Sequence, residues 1–98
     1  MRFELLYTPT AKAEYERLEK DPSSARIWKA VRKTLALMEV NLRHPGLSAH
    51  KFHSLRGPNG EEVFEAFAQQ KTPAAFRVFW YYGPSKGEIT ILAITPHP

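Results

Sequence analysis

The sequence of 98 residues predicts an α+β protein in which a helical hairpin covers one face of a small, mainly antiparallel, four-stranded sheet. Three observations support this prediction. An alternating segment opens the chain, two segments with helical periodicity follow it, and three strand-like segments separated by turn residues come last. The predicted order is therefore β-α-α-β-β-β, in a single domain that spans residues 1–98.

The first predicted strand leads directly into the first predicted helix. Residues 2–7 alternate apolar and other side chains, which is typical of a half-buried strand. Thr8 can then cap a helix, and Pro9 suits the first helical position, where an N–H is not needed. We expect this helix to run to about Lys20.

A second, longer helix is predicted after a similar pair, Asp21-Pro22. Its apolar residues recur every three or four positions, as expected of a helix with one buried face: Ile27, Val31, Leu35, Met38 and Leu42. The sequence His44-Pro45-Gly46 is expected to end it. A tight link between two such helices predicts a hairpin, whose apolar face has to be buried against the sheet.

The rest of the chain is predicted to be a loop followed by three strands. Residues 46–60 have a loop-like composition and end in the turn signal Gly57-Pro58-Asn59-Gly60. Strands are predicted at residues 62–69, 76–82 and 88–94. The links between them are short, so these strands are expected to pair antiparallel, with the first strand of the chain beside them.

The period of two sorts the aromatic strand 76–82 into two faces. The more apolar set is expected to face the helices: Phe76, Val78, Trp80 and Tyr82. Arg77 should lie on the uncovered face with Phe79 and Tyr81, where a guanidinium between rings is suited to phosphate and stacked bases. The alternative is a structural role, in which Arg77 forms a cross-strand ion pair with Glu65 and the rings are half-exposed.

Basic residues are concentrated in one segment. The formal net charge is +4, and seven Lys and Arg side chains lie in residues 26–56 against one acid, Glu39. Three of the four histidines, His44, His50 and His53, lie there as well. Such an excess suits a polyanion or an acidic protein segment, although a solvated helix face and a basic loop would have the same composition.

The composition excludes several classes of protein. Without cysteine, the chain can form neither a disulfide framework nor a thiolate zinc site. Its longest apolar run, residues 89–94, is far shorter than the ~20 residues that a membrane-spanning helix needs. The first six residues lack the apolar core of a signal peptide. We therefore expect a cytoplasmic protein that binds no membrane.

The chain resembles the RelE/ParE toxin superfamily over nearly its whole length. The resemblance lies in the helical hairpin, in residues 47–57 (LSAHKFHSLRG), in the strand sequence Phe76-Arg77-Val78-Phe79-Trp80 and in the closing Ile91-Leu92-Ala93-Ile94. It implies a toxin that a cognate antitoxin holds inactive. RelE-like members cut mRNA on the ribosome without a metal, and ParE-like members inhibit DNA gyrase.

The resemblance also implies roles for individual residues. Arg77 matches the strand arginine that stabilises the charge developed when the ribose 2′-OH attacks the phosphate. His97 matches the near-terminal histidine that is the general acid of the YoeB-like branch, although Pro98 replaces the tyrosine that follows it there. The glutamate base of that branch falls near Ala49, so that His50 is the nearest residue able to accept a proton.

Other expected site residues are less specific. His53 is an alternative base, and the strand before Arg77 carries Glu65 in place of the lysines found in RelE-like members. Contacts to RNA are expected from three cations and two rings: Lys51, Arg56, Lys71, Phe79 and Tyr81. No cofactor is expected, and a metal held by histidines is disfavoured because no carboxylate lies at ligand spacing.

These observations lead to one principal hypothesis and two alternatives. The principal hypothesis is a toxin-like, ribosome-dependent mRNA endoribonuclease whose partners are an antitoxin, the ribosome and mRNA. The alternatives are a ParE-like non-catalytic gyrase inhibitor and a degenerate member that only binds an antitoxin. Nothing in the sequence indicates the oligomeric state.

Overall fold

The computed structural model describes residues 2–70 and 74–96, which form two α-helices and a five-stranded sheet. The elements follow in the order β1 (Glu4–Tyr7), α1 (Pro9–Lys20), α2 (Ala25–Val40), β2 (His50–Arg56), β3 (Glu62–Phe67), β4 (Phe76–Tyr82) and β5 (Glu88–Pro96). Short 3₁₀ turns at Pro22–Ser24 and Pro45–Leu47 precede α2 and β2. Within the two described stretches, no helix is both long enough and apolar enough to cross a membrane.

The sheet is mixed, with the strand order β1-β5-β4-β3-β2. β1 runs parallel to β5, and the other three pairings are antiparallel. The predicted α+β class and its two helices are confirmed, but the prediction of four strands is wrong. Residues 50–56, predicted as loop, form the edge strand β2, whose side chains are mostly exposed and therefore lack an alternating apolar pattern.

The main core lies between the two helices and one face of the sheet. Its buried members come from both helices, from the turn before β2 and from three strands: Ala11, Leu18, Val31, Leu35, Met38, Leu47, Ala66, Val78, Trp80, Ile89, Ile91 and Ile94. The prediction that Leu35 packs above Val78 and Trp80 in one core is confirmed. Leu42 also packs against this core, although it lies beyond the end of α2.

The start of α1 is fixed by Thr8, as predicted. Its side-chain oxygen accepts a hydrogen bond from the backbone N–H of Ala11 at 3.1 Å. The same hydroxyl donates to the carbonyl oxygen of Leu92 at 3.0 Å. The residue that begins the helix therefore also ties it to β5, next to the site where the strand pairing with β4 shifts register.

The second face of the sheet is less open than the sequence predicts. Arg77 lies there as expected, because it pairs directly with Phe67, and Phe79 pairs with Glu65. Phe79 is only 1% exposed, however, and Tyr81 is also buried. The prediction of accessible rings at both positions is therefore wrong, and so is the prediction that Tyr82 is buried, since it is 49% exposed.

Phe52 of β2 explains why Phe79 is covered. It follows His50 by two positions, and His50 pairs with Glu65, so strand alternation places Phe52 on the face away from the helices. Its ring packs edge-on against Phe79, with 5.0 Å between ring centroids. Beyond it β2 is bulged, because Lys51 pairs with Phe64 and Arg56 pairs with Glu62, so that residues 52–55 lie opposite a single residue of β3.

Candidate functional site

Four side chains meet on the sheet face away from the helices, and we call them the Glu65 cluster: His50, Glu65, Phe67 and Arg77. His50 lies directly opposite Glu65 across the β2–β3 pairing. Arg77 lies directly opposite Phe67 across the β3–β4 pairing. Because Glu65 and Phe67 are two positions apart on β3, the sheet register alone places all four on one face.

The carboxylate of Glu65 is at the centre of this cluster. Its side chain is only 2% exposed. One carboxylate oxygen, Oε1, lies 2.8 Å from Nε2 of His50, and the other, Oε2, lies 3.7 Å from Nε of Arg77. A buried carboxylate is tolerated only where positive or hydrogen-bonding groups compensate it, and here a ring nitrogen and a guanidinium face its two oxygens.

The Arg77 guanidinium is held from several directions. It lies over a ring, with Cζ 3.8 Å from the ring centroid of Phe67. Its Nη1 donates to the carbonyl oxygens of Ala75 at 3.0 Å and Gln69 at 3.3 Å. The side chain is 12% exposed. The cross-strand pairing with Glu65, one of the two interpretations open from the sequence, is therefore present.

Both ring nitrogens of His50 face oxygen atoms. Nδ1 lies 2.8 Å from the carbonyl oxygen of Ser48, and Nε2 lies 2.8 Å from Glu65. The ring also packs edge-on against Phe67, with 5.6 Å between centroids. His50 is thus fixed in place, although about half of its side chain is exposed.

Three basic side chains lie on β2 beyond His50. Lys51, His53 and Arg56 are all exposed. The ammonium group of Lys51 lies 3.0 Å from a carboxylate oxygen of Glu62. Its hydrogen bond, followed by the attraction of the Lys51 charge, lowers the pKa of Glu62. The charges of Arg56 and His53 lower that pKa further, which favours the ionised form of Glu62.

A cavity of about 490 Å³ adjoins the cluster, because His50 is among its lining residues. Arg43 and Lys51 contribute positive charge to its wall, and Phe64 and Tyr82 contribute aromatic rings. Nothing in the sequence alone pointed to Tyr82, because period-two counting assigned it to the core. It is exposed since it is the last residue of β4, beside the turn that begins at Gly83.

Two predicted site residues, Lys71 and His97, lie outside the described residues. The strand that leads towards His97 does lie where the sequence predicts, because Thr95 of β5 is directly opposite Arg77. In the described stretches, no group of three or more His, Asp and Glu residues could hold a metal ion.

No protein-family model matches the sequence, and no curated protein matches it significantly. Solved structures do share its fold. A YoeB/ParE toxin from Agrobacterium tumefaciens superposes with a TM-score of 0.65 at 13% identity, covering 98% of this chain and 100% of that one. A YoeB dimer structure from Staphylococcus aureus gives 0.63 at 14% identity, with both chains covered completely.

An archaeal structure is equally similar. The RelE-RelB complex from Pyrococcus horikoshii OT3 gives a TM-score of 0.64 at 14% identity, covering 98% of this chain and 96% of that one. All three comparisons span nearly the full length of both chains. This chain therefore shares the fold of these YoeB/ParE and RelE structures, in agreement with its sequence resemblance.

Proposed function

We propose that this protein is the toxin of a bacterial toxin–antitoxin system and that it cleaves mRNA on the ribosome without a metal ion. The observation that supports this most is the Glu65 cluster in a YoeB- and RelE-like fold. Burying the Glu65 carboxylate and most of the Arg77 side chain costs desolvation energy that apolar side chains at the same positions would avoid. Its place beside the end of β5 suits a site completed by the following residues.

The proposed reaction is an attack of the ribose 2′-oxygen on the neighbouring phosphorus. As that bond forms, the bond from phosphorus to the 5′-oxygen breaks. One proton leaves the 2′-OH and another is given to the 5′-oxygen, which leaves a 2′,3′-cyclic phosphate and a 5′-hydroxyl. The reaction therefore needs a base, an acid and a cation at the phosphate, and no metal.

Three residues are assigned to these roles. Arg77, whose side chain is 12% exposed, contacts the phosphate, and His97 donates the proton to the 5′-oxygen. His53 is the better of the two candidate bases, because its side chain is exposed in the β2 bulge. His50 is less suited to this role, since both of its ring nitrogens already face oxygen atoms.

RNA on either side of the cleaved bond would lie along the edge formed by β2. Lys51, Arg56 and Lys71 are the proposed phosphate contacts. Because Phe79 and Tyr81 are buried, bases cannot stack on them. The exposed ring of Tyr82, in the cavity next to His50, takes over that role in the proposal.

His97→Ala is the direct test of this function. Loss of a general acid should reduce cleavage by about 10²–10⁴-fold and prevent growth arrest after induction. Cleavage is read by mapping mRNA 5′ ends on ribosomes. Pro98→Ala, a change in the same terminal segment, is the matched control and should behave like the parent. Full toxicity of His97→Ala would remove this histidine from the mechanism.

Salt dependence tests the proposed RNA surface. Each phosphate neutralised on a single strand contributes about 0.7 to the slope of log affinity against log salt concentration. Lys51→Gln and Arg56→Gln should each reduce that slope by up to this amount. Lys20→Gln and Lys86→Gln remove equally exposed charges elsewhere and should leave it unchanged. Fluorescence anisotropy with a short single-stranded RNA measures the slope, and equal slopes in all four variants would exclude this surface.

A cognate antitoxin is the proposed protein partner. One of the structures that share this fold is a complex of RelE with RelB. The basic segment from Arg26 to Arg56 suits an acidic antitoxin segment as well as RNA. A short reading frame beside the gene, whose product co-purifies with this protein and suppresses growth arrest, would identify that partner.

One observation favours a second candidate function. The Arg77 side chain is 12% exposed, and its guanidinium donates to the carbonyl oxygens of Ala75 and Gln69 and faces the Glu65 carboxylate. Such an arginine suits a non-catalytic gyrase inhibitor or a protein that only binds its antitoxin. Loss of gyrase-dependent supercoiling after induction, with intact mRNA 5′ ends, would select the gyrase inhibitor.

A further inference from the structure

We infer that Glu65 is the positioning residue of this site: its buried carboxylate keeps His50 protonated on both ring nitrogens and holds Arg77 beside it, so that His50 acts as a cation and not as a base. The catalytic part of this inference rests on the proposed function. The part that concerns the proton on His50 rests on geometry alone and has its own measurement.

The contact with Ser48 fixes the first proton. A carbonyl oxygen can only accept a hydrogen bond, so Nδ1 of His50, at 2.8 Å from the Ser48 oxygen, has to carry a hydrogen. A neutral imidazole has a single N–H. In that form Nε2 would direct its lone pair at the Glu65 oxygen, also 2.8 Å away.

The contact with Glu65 requires a second proton. Two acceptors repel each other at hydrogen-bonding distance unless a hydrogen lies between them. Either His50 or Glu65 has to supply it. The Arg77 guanidinium lies on the other side of the carboxylate, with Nε 3.7 Å from Oε2, and attracts negative charge there. The proton is therefore placed on Nε2, which makes His50 an imidazolium.

A second histidine in the same segment is held in the opposite form. The backbone N–H of Gly46 donates to Nδ1 of His44 at 2.9 Å. That nitrogen has to be an unprotonated acceptor. His44 is therefore an internal reference for a ring nitrogen without a hydrogen, measured in the same sample as His50.

The consequence for the site is a pair of cations with a counter-ion between them. A ring that donates from both nitrogens cannot accept the proton of a 2′-OH. His50 and Arg77 together outweigh the single charge of Glu65, which leaves a net positive site for a phosphate. Since Glu65 lies between them on β3, it also sets their spacing.

The first experiment is ¹⁵N NMR of the histidine side chains in the full chain at neutral pH. The parent protein should show two protonated ring nitrogens for His50 and one unprotonated nitrogen for His44. Glu65→Gln should convert His50 to the neutral form, because the new amide can donate to Nε2 and still accept from Arg77. Glu62→Gln, which removes another carboxylate from the same strand, should leave the protonation of His50 unchanged.

The outcomes of this experiment are decisive. An unprotonated nitrogen on His50 in the parent protein would overturn the inference even if Glu65→Gln failed to fold. An unchanged His50 spectrum in a folded Glu65→Gln variant would overturn it as well. Neither result depends on whether the protein cleaves RNA.

The second experiment separates a cation from a base in the cleavage reaction. Removing a general base costs about 10²–10⁴-fold in kcat. His50→Gln should instead raise KM for ribosome-bound mRNA and lower kcat by less than about tenfold. His53→Gln should show the large loss of kcat. A loss of kcat in His50→Gln as large as that in His53→Gln would contradict the assignment of His50 as a cation. Absence of cleavage by the parent protein would instead disprove the proposed function, and the NMR result would still stand.

Discussion

Arg77→Ala is expected to lower the free energy of unfolding by about 3–5 kcal/mol, because it removes the cation beside one oxygen of the buried Glu65 carboxylate. The carboxylate is 2% exposed, so water cannot easily replace the guanidinium. The loss of the contact with the Phe67 ring adds to the effect. Urea denaturation followed by circular dichroism measures it.

Two further variants test the cause of this destabilisation. Combining Arg77→Ala with Glu65→Gln also removes the buried negative charge of Glu65. The double variant should therefore recover much of the stability that Arg77→Ala loses. Arg56→Ala removes an exposed arginine from β2 and should change stability by no more than about 0.5 kcal/mol. If Arg77→Ala were no worse than Arg56→Ala, the ion pair would not support the fold. Arg77→Lys, which keeps the charge but not the planar fork, is the better variant for testing catalysis.

Leu35→Ala should cost about 2–5 kcal/mol, since it opens a cavity where α2 packs against the sheet. Leu35 is buried in the main core together with Val78 and Trp80. Val40→Ala is the matched control on the same helix, because Val40 is among the exposed apolar residues at its end. Thermal or urea denaturation gives both values, and equal values would mean that this helix face does not form the core.

The helices and the main core were predictable because their signals are local. The apolar residues of α2 recur with the helical period, and Val31, Leu35 and Met38 are all buried. β2 has no such signal, because an edge strand with exposed side chains is held by its backbone pairing to β3. The prediction that Phe79 is accessible was wrong for the same reason, since Phe52 of the unpredicted strand β2 covers it.

The site was predictable in part. The period of two along β4 correctly places Arg77 and Val78 on opposite faces of the sheet. The sequence also offered Glu65 as a partner of Arg77, as the alternative to an RNA contact. The pairing of His50 with Glu65 depends on the register of β2. A bulge shifts that register, and its position follows from side-chain packing across the sheet and not from a motif. Glu65 itself, a carboxylate in the interior of the strand EVFEAF with apolar neighbours on both sides, was the one available signal.

The parallel pairing of β1 with β5 has a consequence for how this protein folds during synthesis. Thr8 and Leu92, which bond to each other, are separated by 84 positions. Contacts between such distant segments require closure of a long loop, and they form late and slowly. The ribosome makes β1 and both helices first, while β5, to which β1 binds, comes last. A growing chain therefore exposes the apolar faces of its helices until β5 has left the ribosome, and the complete cluster around Glu65 forms only after the strands on both sides of it have paired.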